Sequence, residues 1–155
     1  MFVQSLKAAT AAVILMLAAT SASAADKAES YYAKGTIPLT VNLSGVQIAD
    51  GPIYISVQKR EEYMGMKGHG SIIKTATPGN MTATVKVAEP GEYAVSVWHD
   101  MDDDTVFDMD DSYRPIEGYG SSGTPPNDRA PKFDDVKINI DSYGSAVNVA
   151  LNYPS

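Results

Sequence analysis

From Thr36 onward apolar side chains recur at every second position, and this spacing constrains the chain more than any other feature. A period of two places alternate residues on one face, which suits half-buried strands and excludes amphipathic helices. Ile37, Leu39, Val41 and Leu43 alternate with polar or small neighbours, and Ile53, Ile55 and Val57 repeat the pattern beyond the turn Asp50-Gly51-Pro52. These two runs predict a first hairpin. Met81, Ala83, Val85 and Val87 form another run, closed by Glu89-Pro90-Gly91, and Tyr93, Val95 and Val97 begin a further strand at once. Val136, Ile138 and Ile140, then Val147, Val149 and Leu151, flank the turn Asp141 to Gly144 and predict a closing hairpin. With a weaker strand over Ile72 to Ala76, about seven strands result. The expected fold is all-β, an antiparallel immunoglobulin-like or transthyretin-like β-sandwich with a long acidic loop.

Two stretches depart from the alternation. Met64 to Ser71 carries three glycines and reads as a mobile loop. Asp100 to Lys132 is too long to be an ordinary connection, so it is functional or held by something other than apolar burial.

Residues 1–24 are of another kind. Lys7 is followed by the uncharged run Ala8 to Ala19 and by Ala22-Ser23-Ala24, the arrangement of a secretory signal peptide with a small-residue cleavage site. The run is shorter than the roughly 20 residues that span a bilayer. Residues 25–35 then read as an N-terminal linker and 36–155 as one domain. No membrane span is expected after signal removal, and the product is expected in the periplasm or secreted.

Charge and cysteine content narrow the function. The formal net charge is -7 and falls to -8 when Lys7 leaves with the signal peptide, which excludes nucleic acid, because phosphate neutralisation needs clustered Lys and Arg. Cysteine is absent, so there is no disulfide framework, thiolate nucleophile or Cys-type zinc site. With only two His and no GxSxG turn, no nucleophile, base and orienter can be assembled, and the expected protein is not an enzyme.

The segment DMDDDTVFDMDD, Asp100 to Asp111, holds seven carboxylates in twelve residues and no Lys or Arg. Two unit charges ~4 Å apart repel by about 1 kcal/mol in water and by more in a protein, so a compact loop of this composition calls for a cation. Asp100, Asp102, Asp104, Asp108 and Asp111 fall at positions one, three, five, nine and twelve, with the Val106 carbonyl at seven. A calcium loop of the EF-hand sort uses those positions. An all-oxygen donor set favours Ca²⁺ over zinc or copper. Thr105 stands where such a loop has Gly, Asp111 replaces Glu, and a strand leads in where an EF-hand has a helix. The plainer alternative is a solvated acidic stretch.

The runs GEYAVSVWHDMDDDTVFD, RPIEGYGSS and PKFDDVKINI resemble the DUF2141 family of bacterial exported proteins of unknown function, over roughly Thr36 to Tyr153. Gly91, Tyr93, Ala94, Val95, His99, Asp100, Asp108, Pro115, Glu117, Gly118, Tyr119, Gly120, Ser122, Pro131, Phe133 and Asp134 fit in order. The resemblance implies a transthyretin-like sandwich. Asp102 and Asp104 stand where the family usually has Asn, which keeps oxygen donors, and Ser121 replaces a usual Phe.

His99 is expected as a partly buried imidazole that hydrogen-bonds and orients the loop, and Glu117 either completes the calcium shell or pairs with Arg114 or caps backbone, the last two being favoured because it lies far along the chain from the loop. The leading function is a calcium-stabilised, non-enzymatic binding or structural module with a glycan or protein as ligand. A carbohydrate-binding module using Trp98, Tyr113 and Tyr119 is one alternative, although those aromatics more often pack. A metal-dependent hydrolase using the acidic loop is the other.

Overall fold

The alternating runs do become strands, each with one face on a shared core. The computed structural model describes residues 32–154. The signal peptide and residues 25–31 of the expected linker lie outside the described residues. Eight strands and one helical turn follow in order: β1 (Ile37–Val46), β2 (Ile53–Gln58), β3 (His69–Ile73), β4 (Gly79–Val87), β5 (Gly91–His99), β6 (Gly118–Ser121), α1 (Phe133–Val136), β7 (Lys137–Ile140) and β8 (Ser145–Ala150). The weaker strand expected at Ile72 to Ala76 lies a little earlier, so β3 takes in the last part of the Gly-rich stretch. β6 lies inside the long stretch expected to be irregular. Its sequence GYGS has glycines where apolar side chains would alternate, so periodicity could not reveal it.

One sheet has the order β4-β1-β8, and the other β3-β2-β5-β6 with β7 also on β5. β7 pairs with the first half of β5, Gly91 to Ala94, and β6 with the second, Ser96 to His99. Leu39, Val41, Leu43, Val85, Val87 and Val149 of the first sheet meet Ile53, Ile55, Val57, Tyr93, Val95 and Ile140 of the second in one cluster, each at most 1% exposed. Burial of such side chains stabilises by about 1.5–3 kcal/mol apiece and sets the two layers face to face.

Neither expected hairpin forms. β1 pairs with β4 and β8, whereas β2 pairs with β3 and β5, so the Asp50-Gly51-Pro52 turn carries the chain from one sheet to the other. The closing turn does the same: β7 pairs with β5, and β8 lies parallel to β1 with Val41 opposite Val147. The expected all-β sandwich is the fold observed, its pairings antiparallel except for the parallel β1–β8 pair, which makes the first sheet mixed. The reason is physical. Period two fixes which face of a strand is apolar, and a short turn can place that face beside its neighbour or opposite it across the core. β2 settles the matter, since all six of its residues are buried.

The end of the linker is tied down by the Ala33 amide, which donates to the Gly68 carbonyl at 2.9 Å, and the domain's first residue, Thr36, donates its amide to the Val87 carbonyl at 3.0 Å. Among the described residues no helix is long and apolar enough to cross a membrane.

Candidate metal centre

The pleat of β5 sorts its last residues. His99 faces inward, fully buried, while Trp98 and Asp100 share the outer face. His99 Nε2 lies 2.7 Å from the Asp50 carbonyl, to which it must donate, so Nδ1 accepts from the Tyr153 hydroxyl, also at 2.7 Å. Burial lowers its pKa, and the neutral ring ties β5 to the Asp50 turn and the C-terminal tail. The expectation of a partly buried ring that orients the acidic loop is thus corrected: the ring is wholly buried, and both its nitrogens bond groups outside that loop.

Asp100 organises that loop. Its amide donates to the Pro52 carbonyl at 3.0 Å, continuing the β2–β5 ladder, and only Gly fits at position 51, where a Cβ would lie 1.7 Å from the Asp100 carbonyl oxygen. The Asp100 carboxylate accepts from the amides of Asp104 (3.2 Å) and Thr105 (3.0 Å), which folds the chain back over it. Asp104 Oδ1 in turn accepts from the Val106 amide at 2.7 Å. The tight turn drives Asp103 to φ 57° and Thr105 to φ 65°. Asp tolerates that region; a β-branched Thr does so at a cost of about 1–3 kcal/mol. This is the position at which a calcium loop carries Gly.

Glu117 arrives from the approach to β6. It is 4% exposed, and its carboxylate accepts from Trp98 Nε1 at 2.6 Å, the Met101 amide at 2.9 Å and the Asp108 amide at 3.2 Å. The expected pairing with Arg114 is corrected, because Arg114 binds Asp110 instead, Nε to Oδ2 at 2.8 Å. The backbone-cap role does form. Sequence distance concealed this residue: it lies outside the twelve-residue loop and becomes its neighbour only when β6 pairs with β5.

Asp100, Asp102 and Glu117 can each bring one oxygen within 4.8 Å of the others, and so can Asp102, Asp104 and Asp108. The two groups share Asp102; Asp100 and Glu117 are buried, Asp102 and Asp104 are exposed, and Asp108 is half-buried. Asp111 belongs to neither group, and Val106 is exposed at the loop's edge. Asp100 is fully buried, and burial is the main cause that pushes its carboxyl up to about 7; burial likewise raises Glu117. Neither makes an ion pair with Lys or Arg among the described residues. An all-oxygen donor set that includes two buried acids without a Lys or Arg partner fits a hard dication.

The aromatic candidates divide. Trp98 is 4% exposed, stacked on Tyr54 with centroids 4.8 Å apart at 16°, and met edge-on by Phe107 at 5.8 Å. It packs and offers no open stacking face. Tyr113 and Tyr119 are exposed. Tyr54 is buried at 1%, and its hydroxyl has no hydrogen-bond partner among the described residues. Its proton is held first by burial, then by the charges of Asp100 and Asp103.

A family model described as an uncharacterized protein conserved in bacteria, DUF2141, matches residues 41–148. The match spans most of both sheets and the whole acidic basin, and the chain belongs to this family. No curated protein and no solved structure matches the chain.

Proposed function

We propose that this DUF2141 protein is an exported calcium-binding β-sandwich, periplasmic or secreted, acting as a non-enzymatic binding or structural module. One Ca²⁺ occupies the basin, held by Asp100, Asp102, Asp104 and Asp108, with Glu117 in the role first expected of Asp111 and the Val106 carbonyl as a further donor. The observation that carries this reading is the convergence of Asp100 and Glu117, both nine-tenths buried and from separate segments, on the exposed Asp102, with neither buried acid paired to Lys or Arg among the described residues. Leaving a buried charge unpaired is costly, and an external cation removes that cost. Export supports the reading too, since the signal-like segment would deliver the chain to calcium-accessible surroundings.

Calorimetric titration of calcium into chelator-stripped protein tests the proposal. One ion should bind per chain, and Asp104→Ala should lose most of the affinity. Absence of calcium heat in the parent, or equal binding by the variant, would overturn it.

A further inference from the structure

The outer face of β2 carries a group that the loop's own ligands leave unexplained. Tyr54 stands opposite Trp98 in the β2–β5 register, and the Asp100 amide bonded to Pro52 extends the same ladder one step. Alternation therefore places Tyr54, Trp98 and Asp100 on one face as close cross-strand neighbours. The two stacked rings differ at their polar tips. The Trp98 N–H is spent on Glu117 at 2.6 Å, whereas the Tyr54 hydroxyl, on a side chain 1% exposed, bonds nothing among the described residues. A buried hydroxyl left so calls for a partner. Ser56 Oγ and Gln58 Oε1 also have none, but they stand further along β2, away from Asp100.

We infer that the Tyr54 hydroxyl accepts a hydrogen bond from a water on the bound cation, making Tyr54 a positioning residue of the metal centre. The inference rests on the calcium reading above. Calcium takes six to eight oxygens and commonly keeps water among them. A water polarised by a dication is a strong donor, and the phenol oxygen is a neutral acceptor beside carboxylates already committed to the ion and to backbone amides.

Tyr54→Phe separates this role from packing, because Phe retains the ring and loses only the hydroxyl. Calcium calorimetry and metal-free melting are measured on stripped parent and variant. The expected result is a metal-free melting temperature equal to or above the parent's, since an unpartnered buried hydroxyl has gone, together with calcium affinity weaker by roughly three- to tenfold. Unchanged affinity overturns the inference while leaving the calcium reading standing. A loss of affinity matched by a lower metal-free melting temperature assigns Tyr54 to packing and also overturns it. A parent that takes no calcium overturns both.

Discussion

β5 begins beside one group of carboxylates and ends in another, and the two are handled in opposite ways. Near its start, where Ala94 packs against Phe133 and Val136 of α1, Asp134 is gripped by Arg60 at 2.9 and 2.5 Å and Asp135 by Arg129 at 2.7 and 2.9 Å. Lys137 adds a contact to Asp134 at 3.3 Å. These ion pairs, with the side-chain hydrogen bonds foremost, hold both carboxyls down at about 2. At the far end Asp100 and Glu117 are buried and shifted upward, with backbone amides and one indole N–H as their donors. The chain thus pairs its carboxylates with its own cations at one end, and at the other buries Asp100 and Glu117 without a Lys or Arg partner among the described residues. A count of acids along the sequence treats the two groups alike; their surroundings separate them.

The sharpest way to break this comparison is at Glu117. Glu117→Gln removes the buried charge that reaches the basin from outside the loop, and the expected result is calcium affinity about a hundredfold weaker by calorimetry, roughly 2.7 kcal/mol. Wild-type affinity in that variant would return the site to the loop acids alone.

A somewhat smaller effect is expected from the ion itself. Binding confined to the folded state adds about 2.7 kcal/mol at a free concentration one hundred times Kd, and less at lower saturation. Each ~1 kcal/mol moves the midpoint of such a domain by a few degrees. Millimolar calcium should therefore raise the melting temperature of stripped protein by several degrees, chelator should abolish the rise, and magnesium should do less because it keeps its own waters. A melting curve unmoved by calcium would make the basin plain solvated acid.

The smallest effect belongs to the self-compensated end. Arg129→Ala breaks an exposed pair, so the melting temperature should fall only slightly and calcium affinity should not change. The pH dependence has a definite sign there. Asp134 and Asp135 have folded pKa values below their unfolded ones, so their contribution is present above the ordinary carboxylate range near pH 4 and is lost as pH falls toward 2. The variant should show a shallower acid limb in a melting series. A loss of calcium affinity on Arg129→Ala would show that the two ends are coupled.

By itself the sequence determined the strands and the acids. Period two marks β1, β2, β4, β5, β7 and β8 because each needs one apolar face, a local requirement that any neighbour can satisfy. The carboxylates at Asp100, Asp102, Asp104 and Asp108 were legible for a similar reason, since a short loop brings residues of fixed spacing together whatever surrounds it. Tertiary structure decided everything that depends on partners. It assigned β1 and β2 to opposite sheets, placed β8 parallel to β1, and revealed β6, whose Gly118 and Gly120 carry no apolar signal. It also brought Glu117 beneath the loop and set Trp98 and Tyr54 as a stacked floor beside Asp100. Alternation along a strand says which way a side chain points, but pairing between distant segments is settled by the burial gained across the whole core, and no window of local sequence contains that sum.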